Sequence, residues 1–182
     1  MPDGLTFRRM EDTPEEYARI ARWLSDPRIH RFYEGRALSP AEVAEKFGPK
    51  CREKALVPLI FCWNGKPAGF LQYYPADPEE YRAGAFLAAQ GCRDPFAADL
   101  FIGEPELLNR GIGTAALTAI RDMLFQNGCD ALLVDPQAEN KRALRCYQKC
   151  GMVPVSEFIG EEGCQLCMAV TASMIHKGAN TD

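Results

Sequence analysis

Two short stretches of this chain combine residue types and spacing that suit a ligand, and its cysteines add a third set of reactive groups. The first stretch is Arg110-Gly111-Ile112-Gly113-Thr114, between a strand-like run, 97–102, and a helix-like run, 114–126. The start of a helix presents unpaired N–H groups and a partial positive charge, which together suit a pyrophosphate. Glycine at 111 and 113 lets the backbone approach phosphates with no Cβ in the way. Arg110 offers a charged contact. By itself a G-x-G also fits a tight turn ahead of a core helix. It is shorter than the dinucleotide fingerprint and lacks the lysine of a P-loop.

The chain has 8 cysteines. Cys164 and Cys167 form a C-x-x-C, and Cys146 and Cys150 stand four apart on a helix-like run. A four-cysteine zinc site is one reading. The other is a set of small buried hydrophobes. The second is favoured because residues three apart on a strand face opposite ways.

The second stretch runs from Asp135 to Met152. It places Asn140, Ala143, Tyr147, Gly151 and Met152 in the pattern N-x-x-A-x-x-x-Y-x-x-x-G-M. With the glycine-rich turn ahead of it, at this spacing and in this order, the chain resembles the GNAT acetyltransferases. The resemblance implies the GNAT fold of the α/β (α+β) class: a single mixed, mostly antiparallel central sheet of about seven strands flanked by helices. It implies acetyl-CoA as cosubstrate, with its pyrophosphate on Arg110, Gly111, Ile112, Gly113 and Thr114. Asn140 would contact CoA, Tyr147 would lie near its sulfur, and no metal is required.

Within that family, four stretches are similar to the aminoglycoside 6'-N-acetyltransferases. They are Trp23-Leu24-Ser25-Asp26 with Phe32-Tyr33-Glu34-Gly35; Gly65-Lys66-Pro67-Ala68-Gly69; Asp99 through Gly113; and Asp135 through Gly151. The likeness implies that Asp99 contacts the reactive amine as its base, that Asp135 holds the aminocyclitol, and that Tyr33 lines the substrate site. In the turn, Leu108 stands where many GNAT relatives have glutamine or arginine, which matters little because backbone groups hold the phosphates; from the aminoglycoside enzymes the chain departs at Leu100, where glutamine is common, and through the loop 75–96. Loops carry specificity, so these departures leave the acceptor open. A metabolite amine or siderophore precursor is the alternative, and a CoA-binding sensor without turnover is another of a different class.

The implied reaction is direct acyl transfer from thioester to primary amine. An ammonium with a pKa of roughly 8 to 10 must lose a proton before it attacks. Asp99 would hold it and take that proton, directly or through water. Strand N–H groups near Phe101 and Ile102 would polarise the thioester oxygen. Tyr147 would hydrogen-bond the departing sulfur. Each residue also has a plainer role: Asp99 as a solvated edge carboxylate, Asp135 as the start of an Asp-Pro turn, and Tyr147 as a core aromatic. His30 and His176 read as structural. Asp77, Glu79 and Glu80 read as a solvated loop or as an acidic lip for a cation.

The elements that must hold these groups can be read from periodicity and punctuation. Strands are expected at 5–9, 56–63, 68–74, 97–102, 131–134, 153–159 and 164–170. Helices are expected at 13–24, from the Ser39-Pro40-Ala41-Glu42 capping box, at 114–126 and at 141–150. Asn64-Gly65 marks a hairpin, and 75–96 reads as irregular. One domain of 182 residues is expected, with 47% apolar and 25% charged residues, an ordinary globular composition. A net charge of −4 disfavours nucleic acid and favours small cationic partners. No signal-peptide pattern or membrane-length apolar run stands out, so a cytoplasmic monomer or homodimer is expected.

Overall fold

The computed structural model describes residues 3–78, 82–160 and 163–178. In chain order these form β1 (Leu5–Arg9), α1 (Pro14–Leu24), α2 (Pro27–His30), α3 (Pro40–Arg52), β2 (Val57–Trp63), β3 (Lys66–Pro75) and α4 (Gly84–Gln90). There follow β4 (Pro95–Ile102), a 3-10 turn (Pro105–Leu107), α5 (Ile112–Gln126), β5 (Ala131–Val134), α6 (Lys141–Lys149), β6 (Val153–Gly160), β7 (Gly163–Thr171) and α7 (Ala172–Gly178). The strands are ordered β1-β2-β3-β4-β5-β7-β6 in one mixed seven-stranded sheet. β4 and β5 run parallel, whereas β1/β2, β2/β3, β5/β7 and β6/β7 are antiparallel. This is the expected sheet.

The chain divides into two compact units, 1–73 with 100–116 and 74–99 with 117–182. In the first, helix starts follow their local signals. Thr13 caps α1 by accepting from the Glu16 N–H. The box predicted at Ser39 is complete, with Ser39 and Glu42 each accepting from the other's N–H. The hairpin turn has Asn64 at φ 51° and Gly65 at φ 77°, as two positive-φ positions require. The core of this unit is aromatic: Trp23, Phe47 and Phe70 are buried beside Ile20, Leu24 and Ile60. Phe70 stacks on Phe101 at 5.6 Å between centroids, and Phe47 meets Phe70 edge-on at 5.4 Å.

The second unit is built around β5, whose four residues are all buried. Ala97, Ala131, Leu133, Cys167 and Ala169 form its core with Leu87, and Tyr74 and Phe86 pack against it. Leu87 corrects the reading of 75–96 as irregular, because it lies in the two-turn helix α4. Its Gly-Ala-Phe-Leu-Ala-Ala run has good helix formers and one fully buried leucine, and Gly91 at φ 70° ends it. Two more short helices escaped the periodicity. In α2, Asp26 caps a single turn with Pro27 at its first position. In α7, the Thr171 hydroxyl accepts from the Met174 N–H, directly after β7. Segments this short give periodicity too few residues to act on.

Candidate active site

The glycine-rich turn lies in the first unit. Asn109 and Gly111 both take positive φ, 59° and 78°. The first intrahelical bond of α5 runs from the Ala115 N–H to the Gly111 carbonyl, 2.9 Å. The helix therefore starts at Ile112, two residues before the expected Thr114. The amides of Ile112, Gly113 and Thr114 all lie in its first turn, ahead of the regular ladder. Ile112 is buried, at 2% exposure, so only its backbone is offered. Arg110 and Gly111 are exposed. A Cβ built on Gly111 would meet nothing within 4 Å. Glycine is needed there for the backbone angle, and the space over it stays open. Successive amides in such a turn form an anion-binding concavity. The donor set fits the pyrophosphate of a CoA.

Phe101 and Ile102 end β4 in the same unit. The Phe101 side chain is buried and meets the Tyr33 ring edge-on at 4.7 Å; Tyr33 meets Phe70 at 6.2 Å. Tyr33 is half-buried as part of this aromatic group. Phe101 can therefore offer a ligand only its backbone.

The acidic groups lie in the second unit. β4 and β5 pair in parallel as Pro95↔Ala131, Phe96↔Leu132 and Ala97↔Leu133. Asp135 directly follows the carboxyl end of β5, and Asp99 lies on β4 two residues beyond Ala97, the last residue of that pairing. Ligands of α/β sheets collect at such ends. Two phenols join the carboxylates. Tyr74 hydrogen-bonds Asp99; burial and the charges of Asp99 and Asp135 push its phenol well above the ordinary range. Tyr147 is buried, at 7% exposure. Its phenol is pushed up most by burial, then by Cys146, Asp99, Cys150 and Asp135. Both phenols therefore stay protonated and act as donors. The buried Cys167 thiol hydrogen-bonds Asp135, and burial, then Asp135, push it upward. Asp99, Asp135 and Tyr147, predicted separately, thus share one electrostatic neighbourhood. Tyr74 escaped the sequence reading, because a tyrosine within an aromatic strand reads as packing.

Helix α6 positions Tyr147. The Asn140 side-chain oxygen accepts from the Ala143 N–H at 3.1 Å. That oxygen caps the helix, so the amide NH₂ of Asn140 is the end offered to a ligand. At the other end Gly151 takes φ 83°, and the Met152 N–H returns to the Tyr147 carbonyl at 3.1 Å, closing the helix beneath the tyrosine. Arg121 donates to the Cys150 carbonyl at 2.6 Å, and the Thr118 hydroxyl contacts the Cys150 sulfur at 3.6 Å.

The remaining candidates lie elsewhere. His30 Nδ1 is 2.9 Å from the Leu24 carbonyl, a backbone contact within the first unit. Asp77 is exposed. Glu79 and Glu80 lie outside the described residues, as does the His176 side chain. On β7, Cys167 is buried, while Cys164 donates to Glu157 at 3.0 Å. No described helix is long and apolar enough to cross a membrane.

Residues 12–159 match the profile of the Acetyltransferase (GNAT) domain. The aminoglycoside N(6')-acetyltransferase type 1 of Klebsiella pneumoniae is 29% identical over 153 residues, 82% of this chain and 74% of the relative. The N(6)-hydroxylysine O-acetyltransferase of Escherichia coli is 25% identical over 158 residues, 85% of this chain and 48% of the relative. Among solved structures, AAC(6')-Ib in complex with ribostamycin and coenzyme A superposes with a TM-score of 0.80 at 25% identity, covering 99% of this chain and 100% of that one.

Proposed function

The chain belongs to the GNAT acetyltransferase family, and on that premise we propose that this acyltransferase moves acetyl from acetyl-CoA to a primary amine of a cationic small molecule, the 6'-amine of an aminoglycoside. In this reading the 182 residues act as one catalytic domain. The observation that carries it is the convergence of Asp99 and Asp135 on the same two phenols, Tyr74, which hydrogen-bonds Asp99, and Tyr147. Two carboxylates so placed suit an acceptor bearing several ammonium groups. The likeness to an aminoglycoside N(6')-acetyltransferase supports the choice of amine.

The amides and Arg110 of the turn hold the pyrophosphate, and the Asn140 NH₂ adds a contact to CoA. Asp99 holds the substrate ammonium and accepts its proton, directly or through water. The free amine then attacks the thioester carbon. The backbone N–H groups near Phe101 and Ile102 stabilise the oxygen as it gains charge. As the C–N bond forms and the C–S bond breaks, the Tyr147 hydroxyl hydrogen-bonds the leaving sulfur, and the second proton shed by the nitrogen ends on that sulfur to give the CoA thiol. Asp135 and Tyr33 hold other parts of the acceptor. Acetylation removes one positive charge from the drug, and resistance would follow.

The test is CoA thiol release with acetyl-CoA and kanamycin or tobramycin, against an aminoglycoside that lacks the 6'-amine. Release that needs that amine supports the reading. No release, with CoA still bound, discards the drug and leaves a second reading. In that one the acceptor is a hydroxylamine or amine of a small metabolite, in line with the similarity to an N(6)-hydroxylysine O-acetyltransferase. A panel of such acceptors separates the two.

A further inference from the structure

Helix α1 ends against the connection that leads from β4 to the glycine-rich turn. Trp23, in its last turn, is buried at 1% exposure. Its indole lies flat against Gly103, where any Cβ would come within 2.1–2.4 Å of three ring atoms. Only glycine lets the backbone pass there. The adjacent Glu104 closes the contact. The indole Nε1–H donates to Glu104 Oε1 at 2.9 Å, and the Arg22 guanidinium donates to both carboxylate oxygens, at 2.5 and 3.3 Å. Arg22 above all holds the Glu104 carboxyl below its ordinary range, against the opposing effect of burial and with a lesser contribution from Trp23. The Gly103 N–H is tied to the Ala68 carbonyl at 2.9 Å.

From this fixed point the chain makes one 3-10 turn, closed by Leu107 N–H to the Glu104 carbonyl at 3.0 Å and Leu108 N–H to the Pro105 carbonyl at 3.2 Å. It then passes through the positive-φ residues Asn109 and Gly111 and enters α5. The far end is held by the buried Ile112 side chain. The amides of the turn are thus strung between two anchors, Glu104 and Ile112. Ile112 belongs to the helix it starts. Glu104 depends on side chains from α1, remote in sequence. A buried indole N–H that loses its acceptor is costly, so this contact has one favoured arrangement.

We propose that Trp23 and Arg22, acting through Glu104, are positioning residues for cosubstrate binding: they fix the start of the connection whose end presents the phosphate-binding amides. The proposal rests on the reading of residues 110–114 as the pyrophosphate site. Preorganised donors bind an anion without first being ordered, so slackening this anchor weakens CoA binding.

The experiment is calorimetric titration of the full-length protein and its variants with coenzyme A, alongside hydrogen exchange of the amides of 110–114. Glu104→Ala removes the acceptor and should weaken CoA binding about 5- to 10-fold and speed exchange in the turn. Glu104→Gln keeps an acceptor for the indole and should recover most of the affinity. Trp23→Phe, which keeps a ring against Gly103 but loses the N–H, should fall between them and reads the same contact if Glu104→Ala does not fold. Arg8→Met, which breaks an ion pair with Glu16 elsewhere in the same unit, should lower Tm without changing affinity or exchange in the turn. Wild-type CoA affinity in Glu104→Ala or Trp23→Phe overturns the proposal, as does an equal loss in Arg8→Met, and either leaves the acetyl-CoA reading standing. A wild-type protein that binds no CoA overturns both.

Discussion

The Tyr74 hydroxyl donates a hydrogen bond to the Asp99 carboxylate. The two residues lie on strands β3 and β4 within one compact unit. The bond occupies one lone pair of the group proposed to receive the substrate's proton, and so orients what remains. Tyr74→Phe should lower turnover about 3- to 10-fold, a share of the range for general base catalysis. It should also move the acidic limb of the kcat/KM profile upward, since a donor to the charged form favours that form. A pH profile identical to wild type would count against the orienting role.

Asp99→Asn keeps the shape of the side chain and its capacity to accept from Tyr74, but removes the charge. Turnover should drop by roughly 10²- to 10⁴-fold, with CoA affinity measured by calorimetry unchanged. Undiminished turnover would take Asp99 out of the mechanism.

Tyr147→Phe removes a hydroxyl from a residue that is 7% exposed. Because its phenol is pushed far up, chiefly by burial, it is a donor at every working pH, and the change should slow chemistry without shifting the pH profile. A loss of about 10- to 100-fold at saturating substrates is expected. Single-turnover rates in rapid quench, equal to wild type, would show that the sulfur needs no donor here.

Gly111→Ala tests the turn. A Cβ there meets no atom of the protein within 4 Å, but φ is 78°. The left-handed angle costs an alanine about 1–2 kcal/mol, which lowers Tm by about 2–8 °C for a chain of this size. CoA affinity should fall further than Tm alone implies, because the added methyl faces the space where phosphates would lie. A variant that loses Tm and binds CoA normally would move the pyrophosphate elsewhere.

Acid stability should report on Glu16, which is 3% exposed and bonded by Arg8 and by Arg19 at 2.9 Å. Burial opposes its charge, but the two guanidinium groups outweigh it and hold its carboxyl below the ordinary 4.5. A depressed carboxylate stabilises the fold at pH values above its unfolded value, and that contribution is lost as pH falls through the folded one. Glu16→Gln should therefore lose roughly 2 kcal/mol at neutral pH, or about 4–8 °C in Tm. The gap from wild type should close below about pH 4. A gap that persists at acid pH would assign the loss to packing.

Much of the fold is legible in the sequence because its signals are local. Thr13 and Ser39 cap helices through partners three residues on, Asn64-Gly65 bends a hairpin within two residues, and Gly151 stops α6 two residues past its end. The glycine-rich turn and the Asn140–Tyr147 spacing are local too, so the family could be read before any coordinates. Short helices such as α4 were not legible, because one buried leucine in two turns sets no period. The relationships that assemble the candidate site were also hidden. Asp99 and Asp135 act on the same phenols only because β4 and β5 are parallel neighbours, and Tyr74 reaches Asp99 although 25 residues separate them in the chain. Trp23 finds its acceptor 81 residues away. Sequence records which groups a residue brings and the turn it sits in. Which distant groups meet is decided by strand order and by the packing of buried faces, a collective outcome that no single stretch of the chain specifies.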